Sequence, residues 1–293
     1  MWAIFAIIVS IINACYYIGN QNSRLKPSLF MVYRGFFPVL AVLPFLFFYI
    51  PDFEWQYYIL VVLQGLAISY MDLSYFKSFQ QFGAEMVASI RPLTVGLTFL
   101  IWMIIKPSLM DYYLDSPIKF AIILFAIIVM IYSIMKYRQQ KIAYRCLYAV
   151  LPLLLISAFV DVSNKLILYY VHGHLFSAAL WRVFITGNII GLINLYVCRR
   201  HNIKKRDVFK LKNLRKGLFI LLLPLSMITV NFSLYYAQNP AYTSAIIYLS
   251  IIWVMYIGKF TKILKSKKNY RHIEKKWILS ILIAAIVLII ATN

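Results

Sequence analysis

Residues 117–135 read PIKFAIILFAIIVMIYSIM, a stretch whose one charged residue is Lys119. An α-helix rises about 1.5 Å per residue and the hydrocarbon core of a bilayer is about 30 Å thick, so roughly 20 such residues cross it. The stretch therefore reads as a transmembrane helix. Nine more apolar runs flank it, at about 2–20, 28–50, 55–79, 84–105, 146–170, 176–198, 215–236, 241–258 and 276–292. Over its 293 residues the chain is 63% hydrophobic and 13% charged. Soluble domains run nearer 45–50% apolar and about 25% charged, so lipid has to be the solvent for most of this surface. Ten spans with short connections leave little chain for a soluble domain. The run from Met1 to Gly19 reads as a retained helix rather than a leader: no basic residue precedes it, and Asn20-Gln21-Asn22 makes a poor cleavage site.

The net charge of +21 does not point to nucleic acid, because the basic residues sit between runs of membrane length. Twenty-three of the 30 Lys and Arg residues fall in the connections after helices 1, 5, 7 and 9, which share one side if there are ten spans. The opposite side carries Lys106, Lys119, Asp52, Glu54, Asp111 and Asp115. The positive-inside rule then puts the basic side in the cytoplasm and both termini outside. Cys15, Cys146 and Cys198 suggest neither a disulfide framework nor a metal cluster. Neither a metal site nor a cofactor is expected.

Two halves, 1–140 and 141–293, resemble each other weakly. At an offset of 148, residues 28–50 match 176–198, so that Arg34 pairs with Arg182 and Asn13 with Asp161. Beyond helix 7 the offset becomes 159, and Asp72 pairs with Asn231. Each half holds five spans, so the second is inserted upside down. The expected fold is an all-α membrane protein of ten transmembrane helices in two inverted five-helix repeats. Carriers with that plan place the substrate between the halves, near the bilayer midplane.

An arginine stands in the second helix of each half, in Tyr33-Arg34-Gly35-Phe36 and Trp181-Arg182-Val183-Phe184. A short polar hairpin precedes the fourth helix, which carries a proline in Ile90-Arg91-Pro92-Leu93. With the length and the repeat, these features make the chain resemble the EamA-like branch of the drug/metabolite transporter superfamily. The resemblance implies alternating-access transport of a small metabolite, with helices 3 and 4 lining the cavity. Lys106 and Lys262 stand where that family often ends its fourth and ninth helices with an acid, and Ile251 stands where Pro92 would repeat.

Ionisable groups at membrane depth are costly unless paired or hydrated, and are functional candidates by default. Here they are Arg34, Asp72, Arg91, Asp161, Lys165 and Arg182, and Tyr75 and Asn231 complete the candidate substrate site. Each has a plainer reading. Asp161 and Lys165, four apart, could pair along one helix face. Asp72 and Arg91 could pair with each other, and Lys77 with Glu85. Arg34 and Arg182 could snorkel or hold backbone carbonyls. Trp181, Tyr235, Tyr236 and Tyr248 could stack on a flat substrate or simply pack. His172-Gly173-His174 reads as a solvated turn, and Gly187 with Gly191 as a helix-packing face. Four deep cations against two acids leave an excess of about two positive charges, which an anionic or zwitterionic metabolite such as an amino acid or nucleotide-related compound would satisfy.

The leading expectation is thus a secondary transporter in a bacterial inner membrane, acting as a monomer or homodimer. A membrane enzyme or a scaffold is the alternative. The first would need paired catalytic groups at membrane depth, and all four histidines fall in connections. The second has little reason to retain six buried charges.

Overall fold

The computed structural model describes residues 1–23, 25, 27–82, 87, 90–137, 144–200, 210–260 and 275–292. Apolar runs with every backbone group satisfied internally can only be helices in lipid. The described residues form thirteen, joined by turns and two short 3-10 stretches: α1 (Trp2–Ser23), α2 (Pro27–Leu46), α3 (Trp55–Phe82), α4 (Leu93–Ile105), α5 (Ser108–Leu114), α6 (Pro117–Tyr137), α7 (Tyr144–Ile167), α8 (Leu175–Arg200), α9 (Leu211–Gly217), α10 (Leu222–Tyr236), α11 (Pro240–Ile247), α12 (Ser250–Phe260) and α13 (Lys275–Thr292). Seven segments are long and apolar enough to cross a membrane. Phe48, Ile50 and Ile118 are 82%, 84% and 78% exposed, a display of apolar surface that suits lipid and not water.

Three expected runs differ in detail. The run 84–105 is interrupted at Arg91 and Pro92, where the described bonds are Thr94 N–H to Arg91 O and Val95 N–H to Pro92 O, the i→i+3 pattern. Pro92 has no N–H for an α-type bond, which accounts for the break. The helix ends at Lys106 because Pro107 holds it extended, at φ −122° and ψ 76°. The chain then turns by 106° into α5, a helix the sequence reading placed in a connection. The run 241–258 is also interrupted, at Tyr248 and Leu249, again with i→i+3 bonds from Leu249 to Ile246 and from Ile251 to Tyr248. The eighth run starts earlier than expected, at Leu211, and tightens to a 3-10 turn at Leu218–Leu221 ahead of Pro224.

Packing joins elements far apart in sequence. α2 lies against α8, α6 against α13, α1 against α10, α3 against α7 and α8, α4 against α7, and α1 against α11 and α12. The α2–α8 crossing is closed by glycine. A Cβ on Gly35 would stand 2.3 Å from Gly191 Cα and 2.9 Å from Gly187 O, so only glycine permits this approach. The main core gathers Trp102, Tyr113, Ile127, Tyr242, Ile246 and Leu288, and so spans α4, α5, α6, α11 and α13.

Candidate functional site

The charged side chains form two groups, each built by several helices. In the first, Arg34 on α2 forms an ion pair with Asp72 on α3. Arg91, in the interrupted turn before α4, sets its guanidinium over the Tyr75 ring at 5.2 Å. The Arg91 carbonyl, which already accepts from Thr94 N–H in the tightened turn, also accepts from the Tyr248 hydroxyl at 3.0 Å. Asp161 on α7 accepts from Ser244 Oγ of α11 at 2.7 Å and lies 3.5 Å from the Thr98 hydroxyl of α4. Asp161 and Asp72 both lie within electrostatic reach of Arg91. The two interruptions, the buried Asp72 and the half-buried Asp161 thus form one continuous polar cluster where α3, α4, α7 and α11 meet.

The second group surrounds Arg182 on α8. Its Nη1 donates to Asn164 Oδ1 at 2.9 Å and its Nη2 to the Met227 carbonyl of α10 at 3.4 Å. Gln64 on α3 donates to the same Asn164 oxygen at 2.9 Å and to Ser163 Oγ at 2.8 Å. Asn231, one helical turn beyond Met227, is fully buried, and neither of its amide atoms has a hydrogen-bond partner among the described residues.

Two expected pairings are not formed. Asp161 and Lys165 share a helix face, but the acid turns to Ser244. The Lys165 ammonium donates to the carbonyls of Leu234 and Tyr235 instead. Those carbonyls lie in the last turn of α10, which has unsatisfied acceptors and the negative end of the helix dipole. Asp72 pairs with Arg34 and not with Arg91. Arg182 holds a backbone carbonyl, one of the roles expected for it. The proposed Lys77–Glu85 pair cannot be placed, because Glu85 lies outside the described residues.

Of the aromatic candidates, Tyr75 and Tyr248 join the first cluster. Trp181 donates to the Tyr49 carbonyl at 2.7 Å, while Tyr235 and Tyr236 are about half exposed. His172 and Gly173 occupy a positive-φ turn, with His172 Nε2 3.5 Å from Glu54. Sequence reasoning missed Thr98 and Ser244, because a hydroxyl inside an apolar run gives no local signal of the acid it will bind. Two cavities, of about 250 and 550 Å³, border α6 and α13 and touch neither group.

No protein-family model matches the chain, and no curated protein does either. The site has to be read from its own chemistry. Two interrupted helices meet where opposite charges lie together, Asp72 buried and Arg34, Arg91 and Asp161 half-buried. Such a cluster can bind a small charged solute, exchange a proton, or change partners when helices move.

Proposed function

We propose that the chain is a secondary carrier for a small metabolite bearing an anionic group, zwitterions included, working by alternating access in a bacterial inner membrane. The observation that carries this reading is the pair of helix interruptions, Arg91-Pro92 and Tyr248-Leu249, joined to each other and flanked by Asp161. At the offset of 159 the two lie at nearly equivalent positions of the two halves. Interrupted helices in corresponding positions are the arrangement by which inverted-repeat carriers build a site near the midplane.

Two further features support it. Ten spans result if the bent pair α4–α5 and the two shorter apolar helices, Pro240–Val254 and Lys276–Thr292, are counted with the seven long ones. The packing also maps onto itself when the halves are exchanged: α1 on α10 mirrors α3 on α7, α4 on α7 mirrors α12 on α1, and α2–α8 and α6–α13 are each their own mirror. That is the contact pattern expected of two inverted five-helix repeats, and it fits the resemblance to the EamA-like transporters.

Within this reading Arg91 is the first substrate contact, with Tyr75 beside it, and Asp161 accepts the cationic end of a zwitterion or a coupling proton. Purified protein in liposomes, tested for uptake across a panel of labelled amino acids, nucleotide-related compounds, organic acids and organic cations, tests the proposal. Uptake of anion-bearing compounds, lost in Arg91→Ala, is the expected result. Uptake restricted to simple cations, or none at all together with turnover of a panel compound as an enzyme would give, would overturn it.

A further inference from the structure

The two membrane-depth arginines of α2 and α8 are treated differently by the protein. Arg34 has a carboxylate, Asp72, in contact. Arg182 is only 2% exposed, and its partners among the described residues are neutral oxygens, an amide and a backbone carbonyl. Its Nε–H has no partner among them. A guanidinium removed from water with no counter-charge costs several kcal/mol.

The stretch of α10 that it reaches carries a second unsatisfied polar group. In a helix the carbonyl of residue i lies against the N–H of residue i+4, so the Met227 oxygen that Arg182 reaches sits at the backbone of Asn231. The Asn231 side chain is fully buried with Nδ2 and Oδ1 both unpartnered among the described residues. Asn231 also stands, at the offset of 159, where the first half has Asp72. The second half thus keeps the arginine and has an amide in place of the acid that would neutralise it.

We infer that Arg182 and Asn231 form a carboxylate-binding subsite between α8 and α10, separate from the Arg91 cluster. The carboxylate of a small solute takes the place that Asp72 fills beside Arg34. One oxygen accepts from Arg182 Nε–H and the other from Asn231 Nδ2–H, the two buried donors left over by the protein's own bonds. The planar donor fork of arginine suits a carboxylate, whereas a spherical halide would leave one donor unused. This deepens the carrier reading, and rests on it only for the conclusion that the bound carboxylate belongs to a transported solute.

The test is thermal unfolding of the detergent-purified protein in sodium acetate, against sodium chloride at equal ionic strength. Acetate should raise the midpoint in a saturable way, by roughly 2–4 °C near saturation, and chloride should not. Asn231→Asp builds the missing carboxylate into the protein. It should raise the midpoint without acetate and abolish the acetate response. Arg182→Lys should keep the fold and weaken the response at least tenfold in acetate concentration. The inference is overturned if acetate and chloride act alike on the parent, or if Asn231→Asp keeps the full acetate response. Because this is binding and not flux, an intact acetate response in a protein that transports nothing would sink the carrier reading and leave the subsite standing.

Discussion

The Tyr248 phenol donates to the backbone carbonyl of Arg91 at 3.0 Å, joining the interrupted turn of one apolar helix to that of another. Tyr248→Phe removes only this bond, so it should cost about 1 kcal/mol of stability. If the two turns move against each other during transport, the substitution should also change the uptake rate without changing folded yield. Thermal unfolding and flux measured on the same preparation check both, and a variant identical to the parent in both would show that the contact is incidental.

Arg91→Lys keeps the charge and loses the planar fork. Expression and monodispersity should stay near the parent's, while uptake of an anion-bearing substrate should fall at least tenfold. A variant that transports as well as the parent would mean that Arg91 contributes charge alone.

The Arg34–Asp72 pair should behave as a buried ion pair. Asp72→Asn strands the arginine and Arg34→Met strands the acid, each costing on the order of 3 kcal/mol, and somewhat less in practice because the Arg34 side chain is 26% exposed. The double variant should recover much of the folded yield lost by either single one. Fluorescence size-exclusion profiles of the three would show it, and strictly additive losses would argue against the pair.

Asp161 and Lys165 should show the opposite. Each is held by a different neighbour, so the effects of Asp161→Asn and Lys165→Met should add to within about 0.5 kcal/mol. A large coupling energy from a double-mutant cycle would mean that the two meet after all.

Helix crossing and orientation can be tested independently of transport. Gly35→Ala places a Cβ 2.3 Å from the Gly191 backbone and should abolish folded protein, whereas Gly96→Ala, with its nearest neighbour 3.6 Å away, should be tolerated. A C-terminal alkaline phosphatase fusion should be active and a C-terminal green fluorescent fusion dark, if the basic connections face the cytoplasm. The reverse pattern would place both termini inside.

The apolar length of each run, read without any tertiary information, fixed the helical membrane class and nearly all helix positions, because a bilayer permits little but helix where no water reaches. The turn at Arg91-Pro92 has a proline whose missing N–H accounts for it, but Pro38, Pro44 and Pro152 lie inside unbroken helices, so proline alone does not place a turn. Partners were a different matter. Spacing put Asp161 beside Lys165, yet the acid went to Ser244, 83 residues away, and the lysine to the end of α10. Asp72 went to Arg34 on a helix that periodicity could not place next to it. The turn at Tyr248 has no proline to announce it. Periodicity reports which face of a helix is polar; which group satisfies that face depends on the helix packed against it, and only the tertiary structure decides that neighbour.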